Sequence, residues 1–150
     1  MYKSFNSKIA DIMNKGVFYV DVNETIKRAD EIMREEKIKH LPVVEGTKYV
    51  GIITERNIME YTLRNLYDAE DNLGELSQNQ ILDFQKIITR QEHVIFPEDS
   101  VAKAIKLMAK YRLDCLPVVD WQKNLLGIIT TTDIMLFVHK LMEEYEASAS

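Results

Sequence analysis

The spacing of apolar residues along the chain changes between a helical period and short continuous runs. From residue 26 to residue 33, apolar side chains recur at helical spacing, which predicts an amphipathic helix. The runs LPVVE (41–45) and YVGIIT (49–54) follow with a polar turn between them, which is typical of a β-hairpin. A further helix is predicted from 55 to about 66, and the run VFYVDV (17–22) predicts a strand before the first helix.

The same layout returns in the second half of the chain. Residues 25–44 align with residues 100–119 at a constant offset of 75, and the LPVV run recurs unchanged. The offset then becomes 76, because the polar turn of the second hairpin is one residue longer. The run HVIF (93–96) predicts the strand before the second unit, and a closing helix is predicted from 131 to about 145. Each half therefore reads β-α-β-β-α, and the fold class is α+β with helices and strands in layers.

Local signals suggest where these elements begin and end. Asn23 and Asp99 are expected to cap the first helix of each repeat, and Gly16 is expected to end a short lead-in helix around residues 9–13. The chain is therefore predicted to divide into a first repeat with its lead-in at 1–67, an acidic linker at 68–80 and a second repeat at 81–150.

Composition and charge exclude several classes of protein. The apolar fraction of 46% is enough for a packed core, and the net charge of −5 argues against nucleic acid or a membrane surface as a partner. The N-terminal residues lack the apolar core of a secretory signal, and no apolar run approaches the ~20 residues that span a bilayer. A single cysteine allows no internal disulfide, so we expect a cytoplasmic protein.

No catalytic or metal-binding arrangement is visible in the sequence. His40, His93 and His139 do not stand at metal-ligand spacing, so no metal site is predicted. Cys115 is expected to be a buried, inert thiol, because Asp114 beside it would raise rather than lower the pKa of that thiol. Without a phosphate-binding glycine loop or a nucleophile–base pair, the chain is not expected to be an enzyme.

One nine-residue motif occurs twice, as GIITERNIM (51–59) and GIITTTDIM (127–135). It allows two compatible interpretations. In the first, the threonine at the strand end and the side chain three residues later form a capping box that needs no ligand. In the second, the helix N-terminus favours a phosphate, Thr130 and Thr132 add hydroxyls, and the carboxylate of Asp133 accepts both hydroxyls of a ribose.

The first copy of the motif has an amide where the second has an acid. Asn57 has lost the charged acceptor of Asp133, so its ribose affinity is expected to be lower. Arg56 beside it is either a phosphate partner or a solvated side chain in the first helical turn.

With both motifs, both LPVV strands and the triplet DIM (11–13), the chain resembles a tandem pair of CBS domains, the Bateman module, over about residues 8–145. The resemblance implies two β-α-β-β-α units related by a pseudo-two-fold axis, with two clefts between their packed sheets. Similar modules in AMP-activated kinase and inosine monophosphate dehydrogenase bind adenosine-containing ligands in those clefts.

The resemblance also implies that each cleft joins the motif of one unit to a base pocket from the other unit. What we call the Asp133 cleft is expected to contain Gly16, Val17, Phe18, Ile38, Lys39, His40, Thr130, Thr132 and Asp133. The Asn57 cleft is expected to contain Thr54, Arg56, Asn57, Glu92, His93, Val94, Leu113, Asp114 and Cys115. Asp114 would also repel phosphate in the Asp133 cleft of its own unit, whereas Lys39 would attract phosphate in the Asn57 cleft.

The function that these implications favour is a regulatory module without a required cofactor. It would sense AMP, ADP, ATP, S-adenosylmethionine or NAD and signal to a protein partner that the sequence does not identify. The alternative is a ligand-free dimerisation or scaffold module. A homodimer is expected in either case, because the closing helix has a broad apolar face made by Ile134, Phe137, Val138, Leu141, Met142 and Tyr145.

Overall fold

The computed structural model describes residues 4–68 and 83–149. The predicted acidic linker at 68–80 lies, after its first residue, outside this part of the chain. The described residues contain the predicted helices and both hairpins, in the predicted order.

Contacts between residues divide the chain into two compact units. The first-repeat unit comprises Phe18–Glu92, and the second-repeat unit combines Met1–Val17 with His93–Ser150. Each unit has its own cluster of buried apolar side chains, so each packs around a separate core. This division differs from the predicted boundaries 1–67, 68–80 and 81–150, because the lead-in of each repeat packs with the other repeat.

The first-repeat unit is a three-stranded sheet with helices. Strand β1 (Val20–Asp21) runs parallel to β2 (His40–Glu45), and β2 pairs with β3 (Lys48–Thr54) in an antiparallel hairpin. The helices are α1 (Ile26–Glu36), α2 (Glu55–Asp68) and α3, described over 83–87. The predicted strand 17–22 is thus reduced to two residues. The core of the first-repeat unit contains the fully buried side chains of Ala29, Leu41 and Phe84.

The second-repeat unit is a two-stranded antiparallel hairpin with two long helices. Its elements are a 3-10 helix at Ile9–Asp11, α4 (Val101–Tyr111), β4 (Cys115–Val119), β5 (Leu125–Thr130) and α5 (Thr131–Ala149). The prediction of a strand at 93–96 was wrong. Only Ile95 pairs with β4, through a single parallel bridge to Val118, and Pro97 soon follows with no N–H to extend a ladder.

The first helix of each unit is capped by a hydroxyl. The side-chain oxygens of Thr25 and Ser100 each accept the backbone N–H three residues later at 3.1 Å. The prediction that Asn23 and Asp99 are the caps was therefore wrong. Asp99 instead accepts the backbone N–H of Phe96 at 2.9 Å, which stabilises the turn before the helix. A Thr or Ser at the N-cap satisfies one of the free N–H groups of the first turn.

At its C-terminal end, each of these helices has a basic residue whose backbone adopts the left-handed conformation. Lys37 closes α1 with φ 55°, and Arg112 closes α4 with φ 53°. Gly16 was predicted as a helix end, and that prediction was wrong. The 3-10 helix already ends at Ile12, and the N–H of Gly16 is held by the side chain of Asn14 at 3.1 Å in a turn.

The lead-in segments are exchanged between the repeats. Asn14, from the lead-in of the first repeat, pairs with Ile128 of β5 through two backbone hydrogen bonds of 3.1 and 3.2 Å. Thr89, from the lead-in of the second repeat, pairs with Ile52 of β3 through bonds of 2.8 and 2.9 Å. Each lead-in therefore adds a short edge to the hairpin of the other repeat.

Two glycines make room for these crossings. A Cβ atom on Gly127 would lie 2.7 Å from the carbonyl oxygen of Asn14, and one on Gly51 would lie 2.7 Å from that of Thr89. Real side chains do not approach a backbone oxygen this closely. The glycine that begins each copy of the repeated motif is thus explained by a lead-in segment that passes close to the strand at that point.

Candidate functional site

The second copy of the repeated motif forms a capping box at the start of α5. The N–H and the hydroxyl of Thr130 both donate to Oδ2 of Asp133, at 2.8 and 3.0 Å. The N–H of Asp133 donates back to the Thr130 hydroxyl oxygen at 3.3 Å. This confirms the capping-box interpretation. The other carboxylate oxygen, Oδ1, has no hydrogen-bond partner in the described part of the chain.

The first copy forms the same box with an amide. The N–H and the hydroxyl of Thr54 donate to Oδ1 of Asn57 at 2.9 and 2.8 Å, and the N–H of Asn57 donates to the Thr54 hydroxyl at 3.0 Å. The box uses the only oxygen of the amide as acceptor, so the NH₂ group is left over. Among residues 4–68 and 83–149, this NH₂ group has no partner.

The two boxes therefore differ in the atom that they leave for another molecule. Asp133 leaves a negatively charged oxygen, which accepts hydrogen bonds from hydroxyl groups. Asn57 leaves a neutral N–H donor, which suits a carbonyl or phosphate oxygen. The backbone geometry of the two boxes is nearly the same, so the difference in chemistry comes from one side-chain atom.

The residue before each hairpin lies next to the start of the following helix. The carbonyl of Asp114 accepts the N–H of Thr131 at 3.0 Å, and the carbonyl of Lys39 accepts the N–H of Glu55 at 3.0 Å. Asp114 and Lys39 are both exposed. An acid thus stands beside the box of the second-repeat unit, and a cation stands beside the box of the first-repeat unit.

Two other predicted residues lie in the first turns of the same helices. Arg56 is 86% exposed and donates to Glu60 at 3.1 Å, as expected for the solvated side chain that was one of its two interpretations. An exposed pair of this kind is worth little, so it does not prevent Arg56 from turning toward an anion. The exposed hydroxyl of Thr132 forms no hydrogen bond within the described ranges.

The remaining predicted residues are distributed over both units. Gly16 and Val17 belong to the second-repeat unit, while Phe18, Ile38 and His40 belong to the first-repeat unit. Phe18 is 45% exposed, and Ile38 and His40 are half-buried. The expected meeting of these residues with Asp133 stays a prediction of the resemblance.

For the Asn57 cleft, the expected partners from His93 onward lie in the second-repeat unit, whereas Glu92 lies in the first-repeat unit. The ring of His93 stacks on Tyr111, with centroids 3.9 Å apart and planes at 22°. Tyr111 was predicted from helical spacing as an apolar position of this helix, but it was not assigned to either cleft. Val94 and Leu113 are half-buried, and Glu92 is exposed.

Cys115 is buried, as predicted. Burial raises the pKa of its thiol to about 12, and the negative charge of Asp114 adds to the effect. Only the thiolate is a strong nucleophile, so this residue is inert near neutral pH. Its side chain is 3% exposed, so in the predicted Asn57 cleft it would offer mainly its backbone.

The described residues contain neither a metal-binding cluster nor a helix that could span a membrane. Within residues 4–68 and 83–149, no three His, Cys, Asp or Glu side chains come close enough to hold a metal ion. In that part of the chain, the helices are also too short or too polar to cross a bilayer.

Comparison with known families and proteins shows what the chain is similar to. The family model described as CBS domain matches residues 9–64 and 84–140. The CBS domain-containing protein YhcV of Bacillus subtilis is 29% identical over 143 residues, covering 95% of this chain and 92% of YhcV.

Two similar enzymes are much longer than this chain. Homoserine O-acetyltransferase of Methanosarcina acetivorans is 28% identical over 137 residues, and inosine-5′-monophosphate dehydrogenase of Korarchaeum cryptofilum is 32% identical over 120 residues. The matches cover 89% and 80% of this chain but only 23% and 22% of the two enzymes. The chain thus spans less than a quarter of their length.

Solved structures of similar fold include one with adenosine compounds. The CBS domain pair of protein MJ0100, in complex with 5′-methylthioadenosine and S-adenosyl-L-methionine, is 27% identical with a TM-score of 0.73. The match covers 88% of this chain and 99% of that one. The acetoin utilization protein AcuB from Vibrio cholerae has a TM-score of 0.78 at 23% identity, covering 95% of this chain and 99% of AcuB, and supports the fold alone.

Proposed function

Because the chain belongs to the CBS domain family and carries two CBS domains, we propose that it is a regulatory module that binds an adenosine-containing ligand. CBS domain pairs similar to it bind such ligands, as the complex of the MJ0100 pair illustrates. In this proposal, ligand binding changes the affinity for a protein partner. The module itself catalyses no reaction, requires no cofactor and works in the cytoplasm, where its single thiol stays reduced.

The observation that carries the proposal is the carboxylate oxygen of Asp133 that the capping box does not use. The capping box fixes the carboxylate through Oδ2 at the start of α5, so Oδ1 is held in one position. A preorganised, charged acceptor binds ribose hydroxyls more strongly than a neutral one. The exposed hydroxyl of Thr132 and the positive end of the α5 dipole would favour a further, negatively charged ligand group.

The rest of the proposed Asp133 cleft follows the family resemblance. Gly16, Val17 and Phe18 would surround the base from one side. Ile38, Lys39 and His40 would surround it from the other. The exposed ring of Phe18 supports a role in stacking on a base.

The charge beside the box supports a choice among ligands. Asp114 places a second carboxylate at the start of α5, where it would oppose a chain of phosphates. The same acid would attract the positive groups of S-adenosylmethionine. We therefore propose that this cleft prefers adenosine, 5′-methylthioadenosine, S-adenosylmethionine or AMP to ADP, ATP and NAD.

The Asn57 cleft is proposed to have the opposite preference. Its box presents a neutral donor, and Lys39 and Arg56 are nearby cations in the first-repeat unit. These groups suit a ligand that carries more phosphate and relies less on ribose hydroxyls. His93, Val94, Asp114 and Cys115 would complete this cleft in the manner of the family.

A thermal-shift panel tests the proposed ligand class. A ligand at about 100 times its Kd adds about 2.7 kcal/mol to the stability of the folded state. We expect a raised Tm with 5′-methylthioadenosine, S-adenosylmethionine or AMP, and a smaller rise with ATP. Guanosine monophosphate serves as the control with the same ribose and phosphate but another base. Equal shifts with both nucleotides, or no shift with any adenosine compound, would contradict the proposal.

The alternative function, a ligand-free dimerisation module, is favoured by one specific observation. Both motifs already have a structural role as capping boxes, which needs no ligand. A homodimer is part of either proposal, since α5 exposes 66% of Met135, 55% of Met142 and 75% of Tyr145. Sedimentation of the wild-type chain as a monomer of 17.5 kDa at micromolar concentration would contradict the homodimer.

A further inference from the structure

The second-repeat unit has a stacked pair of rings at the C-terminal end of α4. The imidazole of His93 lies against the ring of Tyr111, with centroids 3.9 Å apart and planes at 22°. His93 is half-buried and Tyr111 is 43% exposed, so the pair lies at the surface of the unit and another molecule can reach it. Stacking of this kind restrains how far either ring can turn.

Both rings belong to backbone segments that are held in place. Ile95, two residues after His93, is fully buried and makes two backbone hydrogen bonds of 3.0 Å with β4. Tyr111 is the last residue of α4, and the carbonyl of Met108 accepts the N–H groups of the two residues that follow it. The ammonium group of Lys110 lies 5.2 Å from the centroid of the tyrosine ring. The position of the stack is therefore well defined.

The first repeat has no such stack at the equivalent positions. The residues 75 positions earlier are Phe18 and Glu36, and Glu36 has no ring to stack. A phenyl ring has no polar atom at its edge, so its exact rotation changes no hydrogen bond. An imidazole has two nitrogens that donate or accept, and their direction decides what it recognises. Fixing the ring therefore matters at His93 and does not matter at Phe18.

An imidazole with a fixed orientation suits the recognition of one edge of a purine. Adenine has an amino donor where guanine has a carbonyl acceptor. A nitrogen held in one direction distinguishes the two bases, whereas a mobile ring can turn to satisfy either. The charged residues that flank the two rings in sequence have both signs: Glu92, Lys110, Arg112 and Asp114. Charge therefore does not select the base, and the direction of the imidazole nitrogens does.

We propose that Tyr111 is a positioning residue, which holds the imidazole of His93 so that the Asn57 cleft distinguishes adenine from guanine. The inference rests on the proposed function, which assigns His93 to that cleft. It adds the residue that orients His93 and the base specificity that follows. Tyr111 acts through its ring face, so its hydroxyl group is not required.

Calorimetric titrations with ATP and GTP test this role. The quantity compared is the ratio of the Kd for GTP to the Kd for ATP, which should favour ATP in the wild type. Tyr111→Leu removes the stack and should lower the ratio about threefold to tenfold. Tyr111→Phe keeps a ring in the stack and should retain the wild-type ratio. His93→Phe keeps the stack but removes both nitrogens, so its ratio should fall as in Tyr111→Leu.

A matched control changes the counterpart of Tyr111 in the first repeat. Glu36 is exposed and is the last residue of α1, so Glu36→Leu should leave the ratio unchanged. Binding of 5′-methylthioadenosine, which is proposed for the Asp133 cleft, should be the same in all variants. Circular dichroism checks that each variant is folded. Tyr111→Gln, which also lacks a ring, repeats the measurement should the leucine variant not fold.

The outcomes separate this inference from the proposal beneath it. A wild type that binds neither ATP nor GTP would overturn both the proposed Asn57 cleft and the role of Tyr111. If Tyr111→Leu weakens both nucleotides equally, or neither, the ratio stays constant and the positioning role alone is overturned. Loss of the ratio in Tyr111→Phe, or its retention in His93→Phe, would overturn that role as well. A ratio that falls in Tyr111→Leu and His93→Phe and persists in Tyr111→Phe would establish it.

Discussion

A single side-chain atom distinguishes the two repeated motifs at the scale of the residue. Asp133 and Asn57 form the same box, with the same partners and similar distances. The sequence allowed a cap or a ligand site, and the structure shows that the cap uses only half of each side chain. The remaining half is an acceptor in one repeat and a donor in the other, and the proposed difference between the clefts depends on it.

The buried thiol of Cys115 gives a prediction of pH dependence. Because burial raises its pKa from 9.0 to about 12, the folded state keeps a proton that the unfolded state loses. The stability that this thiol contributes is complete below about pH 9 and is lost as the pH rises through its folded pKa. Between about pH 8 and about pH 10.5, wild type should therefore lose more free energy of unfolding than Cys115→Ala. Urea titrations at both pH values check this, and equal losses would contradict it.

The glycines of the motif give a prediction of stability. Gly127→Ala should destabilise the fold by about 1–3 kcal/mol, since the new methyl group would overlap the carbonyl of Asn14. Gly16→Ala is the control, because a Cβ atom there meets nothing nearer than 3.8 Å. Chemical unfolding measures both. A tolerated alanine at 127 would mean that the lead-in does not pass β5 as described.

At the scale of the element, the ends of the helices show what sequence spacing resolves. The apolar period placed α1, α2, α4 and α5 correctly. The caps were misplaced by one or two residues, because several polar residues precede each helix and only geometry selects Thr25 and Ser100. The C-terminal ends of α1 and α4 could not be predicted from a glycine, because Lys37 and Arg112 adopt the left-handed conformation that glycine usually provides.

The left-handed end of α4 gives a prediction for this scale. Arg112→Gly should stabilise the protein by about 0.5–1 kcal/mol, because glycine adopts φ 53° without a Cβ penalty. Lys106→Gly, in the exposed interior of the same helix, should destabilise it by about 1 kcal/mol. Thermal unfolding of the wild type and of both variants measures these changes in stability. Destabilisation by Arg112→Gly would indicate that the arginine makes a contact worth more than its strain.

At the scale of the whole molecule, the exchange of lead-in segments was not predictable from spacing. The repeat is readable because its apolar pattern is local, whereas the partner of a short segment depends on contacts far apart in sequence. Ile9 and Phe84 stand at equivalent positions, 75 residues apart, and each is fully buried in the core of the other repeat. The glycines at 51 and 127 were the only local sign of a close crossing, and they were read as part of the motif.

The most direct test of the account is a calorimetric titration of 5′-methylthioadenosine and AMP into wild type and Asp133→Asn. Asn57 shows that asparagine makes the same box, so the variant should lose at most the helix-dipole contribution of about 0.3–1 kcal/mol in stability. It should weaken binding about tenfold or more, because the charged acceptor for ribose is replaced by a donor. Binding by wild type that Asp133→Asn leaves unchanged would contradict the account, and so would a wild type that binds neither compound.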